Sequence, residues 1–424
     1  MSASRHLISR RAGLTGLAAA ALSGHAFAGD VPDAGPVFSP SGPDAERWGA
    51  GEGFPVAVPG QLSQPGDPPE KYRVGAYSHY DQVHKTRLIV RAAQASSFRR
   101  APTDLHYTYK GSPAVLTDYL SRNPVTGLMI VHDDQILFEH YQYGRTDRDR
   151  FYSGSMAKSI TGLLIGLAIA DGAIKSVDDL PETYVPGLKG TEYGRTPIRD
   201  LLHMSSGVDF GEERDNDRDL NRLWVDMVSG GWPLRKGTIA SITQFNQRIA
   251  PPGTRFSYAS IEPDILGVVL HYALGKSASD YLRDKLWQPI GAEADARWLV
   301  DADGFEVGHG FFNAVLRDYA RLGRLLANDG NWNGKQLIPQ QWLADATTVK
   351  PSDTQLAQVS PLFAYGYLLW LFRKTPGQFA LLGSPGQRIC VDQVSKLVLV
   401  QTAVGETEEL WSLWASLSQQ FRDA

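Results

Sequence analysis

The chain has 424 residues and a mass of 46.5 kDa, which suits two domains or one large domain with an insertion. Hydrophobic residues make up 42% and charged residues 21%, so the composition is that of a globular protein and excludes wholesale disorder. The net charge is −4 without a sustained basic run, which argues against a nucleic-acid partner. The single cysteine, Cys390, excludes an intramolecular disulfide framework and a cysteine-based zinc cluster.

Residues 1–28 have the pattern of an export signal peptide. Arginines give a positive start, an apolar stretch of small residues follows, and Ala26-Phe27-Ala28 is a small-x-small cleavage site. The pair Arg10-Arg11 favours the twin-arginine route over an ordinary Sec signal, so we expect a periplasmic or secreted protein. The apolar stretch is shorter than the ~20 helical residues that span a bilayer, so we expect no stable membrane insertion.

The first half of the mature chain begins with little periodicity. Residues 29–75 are rich in proline and glycine and predict an extended arm, and we expect regular structure to begin near Ser112. Two apolar runs around a polar turn predict a β-hairpin over 127–141. The stretch 155–170 is apolar on nearly every side, as expected for a buried helix.

The second half changes from helical to strand-like patterns. Residues 171–305 predict a mainly helical domain with a lid loop, which includes the acidic stretch 209–226. Beyond it we expect an amphipathic helix over 316–327, strands over 364–372, 378–382 and 387–404, and a closing helix over 409–421. This order predicts an α/β fold: an antiparallel sheet flanked by helices, built from 76–170 and 306–424, with the helical domain inserted.

The sharpest local motif is Ser155-x-x-Lys158, at the start of the predicted buried helix. Residues at i and i+3 share a helix face, and a hydroxyl becomes a good nucleophile when a neighbouring base takes its proton. A buried lysine can be that base because burial disfavours the ammonium form. The competing interpretation is an N-cap serine with a surface lysine.

Two further segments carry weaker signals. Tyr258, in the segment 252–260, can relay a proton if it lies near a lysine, although a buried structural tyrosine fits equally well. The segment Gly383-Ser384-Pro385-Gly386-Gln387 lies at a strand end, where glycines allow a substrate to approach backbone N–H groups; a plain hairpin turn is the alternative.

Together these motifs resemble the β-lactamase-related serine hydrolases, which include class C β-lactamases, DD-peptidases and esterases, over roughly residues 110–420. Ser155 and Lys158 match the first family motif, Tyr258-Ala259-Ser260 matches the second, and Gly383 to Gln387 stands at the third. The Gly-x-x-Gly-Gln form of the third motif is similar to the 6-aminohexanoate-dimer hydrolase branch.

The resemblance implies a β-lactamase/transpeptidase-like fold and an acyl-enzyme on Ser155, with Lys158 and Tyr258 as general base and acid. It places Ser384, Gly383 and Ser260 in oxyanion or substrate binding. It implies a small-molecule ester or amide as the substrate, with no metal or other cofactor. The oligomeric state stays open.

The chain also departs from the family pattern. Leu381-Leu382 stand where a lysine or histidine usually faces a β-lactam carboxylate, and Arg388 substitutes for it only if its side chain points to the site. Phe210 stands where the related nylon-oligomer enzymes place a substrate-contacting tyrosine. These departures argue against a β-lactamase and against a dimer hydrolase, but not against hydrolase chemistry. Two alternatives stay open: a DD-peptidase or β-lactamase acting on cell-wall peptides or β-lactams, and an inactive penicillin-binding-like regulatory module.

Overall fold

The computed structural model describes residues 35–53, 68–212, 218–229 and 236–423. The export signal predicted over 1–28 lies outside the described residues. The strands, in chain order, are β1 Val37–Phe38, β2 Thr86–Ile89, β3 Arg99–Arg100, β4 His106–Tyr109, β5 Ser112–Val115, β6 Val125–His132, β7 Gln135–Tyr141, β8 Phe151–Tyr152, β9 Ala296–Leu299, β10 Phe312–Ala314, β11 Asn331–Trp332, β12 Lys335–Gln336, β13 Phe363–Tyr365, β14 Trp370–Phe372, β15 Gln378–Gly383, β16 Gln387–Asp392 and β17 Leu397–Ala403.

The helices are fewer and mostly short. In chain order they are α1 Arg73–Tyr77, α2 Leu116–Arg122, α3 Met156–Ala170, α4 Ile198–Leu202, α5 Arg218–Trp224, α6 Thr238–Ile242, α7 Ile261–Leu274, α8 Ala278–Leu282, α9 Leu316–Ala327, α10 Gln340–Ala346 and α11 Leu410–Arg422. A π-helical turn, Val225–Ser229, continues α5. Among the described helices, none is both long and apolar enough to cross a membrane.

The main sheet joins the two ends of the chain. Its strand order is β1-β7-β6-β17-β16-β15-β14-β13, and β3 also pairs with β7. The neighbours are antiparallel except β1 and β3, which run parallel to β7. The central pairing of β6 with β17 therefore connects the first third of the chain to its last tenth, as the element order predicts for a sheet with an insertion.

Side-chain alternation along the central strands builds two cores, one on each face of the sheet. On β6, Met129 and Val131 pack with residues of α3 and α9, whereas Leu128 and Ile130 pack with residues of α2 and α11. Successive strand residues point to opposite faces, so a strand buried on both faces is apolar throughout. The result is a sheet between two helical layers, with α3 fixed against β15 and β16.

Several predicted elements need correction. Regular structure does not begin near Ser112, because β2, β3 and β4 precede it. The predicted strands 364–372 and 387–404 are each two strands joined by a turn. The arm predicted over 29–75 contributes β1 to the sheet edge and, in its last residues, the start of α1. The stretch 171–305 holds α4 to α8 in its described part, and its separation as a domain stays a prediction.

Candidate active site

A cavity of about 450 Å³ lies where the end of β15, the start of α3, the residues before α7 and the segment before β10 meet. Proteins bind small molecules in clefts of this size, typically ~300–1,000 Å³. Every residue that the sequence predicted for the site, apart from Lys158, lines the cavity: Ser155, Tyr258, Ser260, Gly383 and Ser384. The fold thus brings together three motifs that are about 100 residues or more apart in the sequence.

Ser155 and Lys158 form a hydrogen-bonded pair at the start of α3. Lys158 Nζ donates to Ser155 Oγ at 2.7 Å and to the backbone carbonyl of His309 at 3.0 Å. The lysine side chain is buried, with 2% of its surface exposed. Ser155 occupies the N-cap position, but its side chain makes no capping hydrogen bond. Both facts contradict the interpretation as an N-cap serine with a surface lysine.

The ring of Tyr258 lies beside this pair. Its centroid is 4.9 Å from Lys158 Nζ. The backbone around it is held by Met204, whose carbonyl accepts the amide of Ser257 at 2.8 Å and whose Sδ accepts the amide of Ala259 at 3.5 Å. Among the described residues, nothing hydrogen-bonds to the Tyr258 hydroxyl, which leaves it available to a substrate.

Ser260 lines the cavity, but its polar groups are engaged by Glu212. The Ser260 hydroxyl donates to Glu212 Oε1 at 2.7 Å, and the Ser260 amide donates to the other carboxylate oxygen. Glu212 is itself buried, with 7% exposed. No sequence pattern predicts this role, because Glu212 is one of several acidic residues in the stretch 209–226.

Glu262, two residues after Ser260 in the chain, is a second buried acidic residue at this end of α7. Burial raises its pKa well above the ordinary value, and it is 1% exposed. Its Oε1 accepts the amide of Ser206 at 3.4 Å, whereas Oε2 has no partner among the described residues. This environment therefore favours the protonated form of the carboxyl group.

The third motif, residues 383–387, lies close to the main chain of Ser155, and a glycine on each side, Gly383 and Gly154, makes this contact possible. A Cβ atom on Gly383 would lie 2.1 Å from the carbonyl oxygen of Ser153 and 2.9 Å from the amide nitrogen of Ser155. A Cβ atom on Gly154 would lie 2.6 Å from the carbonyl oxygen of Ser384. Only glycine at both positions permits this approach, which brings the amides of Ser155 and Ser384 to the same part of the cavity. Neither amide donates a hydrogen bond to any described residue.

Arg388 lies at the cavity but its charge is already paired. Its guanidinium donates to the carbonyl oxygens of Gly383 and Gln387 and, at 2.8 Å, to Glu406 Oε2. Arg388 stands opposite Leu382 in the β15–β16 register, and Leu382 also lines the cavity. The arginine is therefore present where a substitute cation was considered, and it forms an ion pair with Glu406.

The acidic stretch borders the cavity in part. Glu212, Leu220 and Trp224 line it, and α5 with its π-helical turn replaces much of the loop that the sequence predicted. Residues 213–217 and 230–235 lie outside the described residues. Phe210 is buried against Phe245 at a centroid distance of 5.0 Å, and it does not line the cavity.

The remaining lining includes a group of aromatic rings that sequence reasoning missed. We call it the ring wall; its members are Tyr77, Tyr80, Tyr152, Trp224 and Phe311. They lie in four separate segments of the chain, since only Tyr77 and Tyr80 are close in sequence, so no local spacing reveals that all five meet. In the described residues, no group of three or more His, Cys, Asp or Glu side chains is arranged to hold a metal ion.

Comparison with known proteins gives consistent matches. A sequence model of the family described as Beta-lactamase matches residues 115–408. The 6-aminohexanoate-dimer hydrolase of Paenarthrobacter ureafaciens is 26% identical over 293 residues, which are 68% of this chain and 74% of that protein. A solved structure from Bacillus anthracis, described as a 6-aminohexanoate-dimer hydrolase, has a TM-score of 0.74 at 25% identity and covers 84% of this chain and 94% of that one.

A more distant structure shares the fold alone. The D-stereospecific amidohydrolase from Streptomyces has a TM-score of 0.52 at 17% identity, covering 70% of this chain and 95% of that one. The predicted β-lactamase/transpeptidase-like fold class is confirmed by these matches, and so is the resemblance to the 6-aminohexanoate-dimer hydrolase branch.

Proposed function

The chain belongs to the β-lactamase family of hydrolases, and from that membership and the cavity geometry we propose that it cleaves an ester or amide bond through an acyl-enzyme on Ser155. The observation that carries the proposal is the 2.7 Å contact between Lys158 Nζ and Ser155 Oγ inside the cavity. A buried amine at that distance can take the hydroxyl proton as the oxygen attacks a carbonyl carbon.

The proposed reaction has two halves. In acylation, the Ser155 oxygen bonds to the substrate carbonyl carbon, its proton passes to Lys158, and Tyr258 delivers a proton to the leaving alcohol or amine as its bond to that carbon breaks. In deacylation, water attacks the ester carbon and gives one proton to the same groups, and Ser155 regains its proton as the acid leaves.

The negative charge that develops on the carbonyl oxygen needs hydrogen-bond donors. We assign this role to the amides of Ser155 and Ser384, which have no other acceptor among the described residues. Removing one donor of this kind typically costs ~3–4 kcal/mol of transition-state stabilisation. Gly154 and Gly383 support the assignment because their close approach brings the two amides together.

A hydrolysis panel tests the proposal. Short p-nitrophenyl esters, linear amides, D-Ala-D-Ala peptides and a cephalosporin are assayed with the wild-type protein, Ser155→Ala and the control Ser121→Ala, which removes an exposed hydroxyl on α2. We expect turnover in the wild type and the control only, and a serine-directed phosphonate attached to Ser155. Turnover by Ser155→Ala, or a phosphonate on another serine, contradicts the assignment. Absence of both turnover and labelling favours an inactive regulatory module.

We also propose that the protein is exported before it acts, on the basis of the signal-like pattern in residues 1–28. Replacing Arg10 and Arg11 by lysine conserves the charge but removes the twin-arginine pair. Cell fractionation of the two forms should show the wild type outside the cytoplasm and the variant retained inside. Equal export of both forms would indicate a Sec signal.

A further inference from the structure

The ring wall is a continuous aromatic surface. The rings of Tyr77 and Tyr152 stack at a centroid distance of 5.1 Å, and Tyr80 lies 5.2 Å from Tyr152. Phe311 joins them at 5.5 Å from Tyr152 and contacts Trp224 at 4.6 Å. Such surfaces bind flat aromatic groups through offset or edge-to-face contacts, because the ring faces are negative and the ring edges positive.

The ring wall is attached to the groups proposed for the chemistry. Tyr152 is three residues before Ser155 in the chain. Phe311 is two residues after His309, whose carbonyl oxygen accepts the Lys158 hydrogen bond at 3.0 Å. The rings and Ser155 line the same cavity, so a substrate whose aromatic group lies against these rings needs only a short linker to place its carbonyl at Ser155.

The backbone at Phe311 adds an independent observation. Its φ angle is +63°, in the left-handed region that bulky residues rarely adopt. Unfavourable backbone conformations of this kind persist where the surrounding structure imposes them, and they concentrate at binding and catalytic sites. The fold retains a large aromatic ring at a position where glycine would be free of strain, and that ring lines the cavity.

The charged groups at the cavity point to a neutral substrate. The Arg388 guanidinium is paired with Glu406, and the Lys158 amine, the proposed base, is hydrogen-bonded to Ser155 and the His309 carbonyl. Glu212 and Glu406 add two carboxylates to the lining. Among the described residues, the cavity thus offers no uncommitted cation for a substrate carboxylate.

We propose that the substrates are neutral esters or amides that carry an aromatic group within a short linker of the scissile carbonyl. This inference rests on the proposed serine hydrolase function and names the substrate class of the same site. The ring wall binds the aromatic group and so holds the carbonyl over Ser155. Because the ring wall selects by shape and ring electrostatics, a linear alkyl chain with the same number of carbons binds less well.

Two matched pairs of esters test the proposal on the full-length protein. Benzyl acetate is compared with heptyl acetate, and ethyl phenylacetate with ethyl octanoate; each pair has the same carbon count and places the group on one side of the ester. We expect kcat/KM for the aromatic member to be about threefold to tenfold higher in at least one pair. One or two favourable contacts between aromatic rings account for a difference of that size.

Variants of the ring wall separate its effect from general hydrophobicity. Trp224→Leu and Phe311→Leu should each move the aromatic-to-alkyl ratio of kcat/KM toward one. Phe311→Gly should do the same while suiting the left-handed backbone, so its loss of preference is not a loss of fold. The matched control is Tyr272→Leu, which removes an exposed ring remote from the cavity and should keep the wild-type ratio.

The possible results distinguish a wrong substrate class from a wrong hydrolase function. Ester hydrolysis that depends on Ser155 but shows ratios near one in both pairs overturns the aromatic substrate class and leaves the serine hydrolase function intact. A preference that persists in Trp224→Leu and in both Phe311 variants also overturns it, because the ring wall would not be its source. Absence of hydrolysis and of phosphonate labelling overturns the proposed function itself.

Discussion

Replacing Glu212 by glutamine should slow catalysis by loosening the segment that carries Tyr258. The two oxygens of Glu212 accept hydrogen bonds from the amide and the hydroxyl of Ser260, which lies two residues after Tyr258 and is the N-cap residue of α7. Glutamine keeps one acceptor oxygen and places an NH2 donor where the other acceptor stood. One of the two buried Ser260 donors then loses its partner.

The structure sets the expected magnitude. A buried donor left without an acceptor costs ~1–3 kcal/mol, and each ~1.4 kcal/mol corresponds to a tenfold change in rate. If the loss acts on the placement of Tyr258 in the transition state, kcat/KM should fall about 10- to 100-fold, mostly in kcat. The free energy of unfolding should fall by no more than about 1–3 kcal/mol.

The neighbouring acid provides a matched control. Glu262 is also buried, but its Oε2 has no partner among the described residues and its Oε1 accepts the Ser206 amide, so glutamine copies its shape and can keep that hydrogen bond. Glu262→Gln should therefore change kcat/KM by less than about threefold. We would measure steady-state kinetics with one neutral ester at pH 7 for the wild type, Glu212→Gln and Glu262→Gln. Thermal unfolding of the same three proteins would report their stability.

Two results would refute this reasoning. Wild-type kcat/KM in Glu212→Gln would show that the Ser260 contact does not support the reaction. Equal damage in Glu262→Gln would show that any substitution at this depth disturbs the site, whatever its hydrogen bonds.

Four further predictions follow from the site and its surroundings. Ser155→Ala and Lys158→Ala should lose nearly the same activity, and the double variant should be no slower than either single variant, since the two groups act as a unit; an additive loss in single-turnover assays would contradict this. Because Arg388 is paired with Glu406, kcat/KM for simple esters should exceed that for a cephalosporin by at least about 10- to 100-fold, the value of one charge-assisted hydrogen bond. Efficient cephalosporin turnover that disappears in Arg388→Ala would show that the arginine is available after all. Six acidic residues between positions 209 and 219 should favour an ester with a remote ammonium over one with a remote carboxylate at low salt, with the difference in kcat/KM shrinking as salt screens the field. Equal kcat/KM values at every salt concentration would show that these charges do not act on the substrate. Burial lowers the pKa of His84 from 6.5 to about 4, so its contribution to stability is full above pH 6.5 and is lost as the pH falls toward 4. Thermal unfolding at pH 7 and 4.5 should show a smaller loss for His84→Phe than for the wild type, and equal losses would contradict the assignment.

Local patterns in the sequence were sufficient for the elements that carry their own signals. The polar turn between apolar runs located the β6–β7 hairpin, and the spacing of apolar residues located α9 at residues 316–327. Gly275 and Ser277 are residue types that end one helix and cap the next, and in the structure Gly275 is left-handed while the Ser277 hydroxyl accepts the amide of Asp280.

Elements whose stability comes from distant partners were missed or misjudged. The two-residue strands β1 and β3 are too short for a periodic signal and exist because β7 supplies hydrogen-bond partners. The run 387–404 is apolar on both faces, so its alternation did not reveal the turn between β16 and β17. The helix α5 lies in an acidic, glycine-punctuated stretch that resembles a loop.

The residues of the site also fall into those with a local sequence signal and those that depend on distant contacts. The i, i+3 spacing of Ser155 and Lys158 is local, so the sequence predicted their contact directly. Tyr258 acquired its proposed role only through the family resemblance, because 100 residues separate it from Lys158. The role of Glu212 toward Ser260 had no sequence signal at all, since it depends on how the segment after α4 folds back onto α7.

The cavity has two parts that should differ in their tolerance to amino-acid substitution: the main chain around Gly154 and Gly383, and the side chains of the ring wall. Around Gly154 and Gly383 the surface consists of main-chain atoms, and any side chain added there would displace the donors themselves. The ring wall consists of side chains, and those at 80, 224 and 311 belong to segments other than the one that carries Ser155. Mutagenesis libraries should therefore keep 154 and 383 fixed and randomise 80, 224 and 311. Over evolutionary time the same division would let substrate preference drift among relatives while the bond-breaking chemistry stays constant.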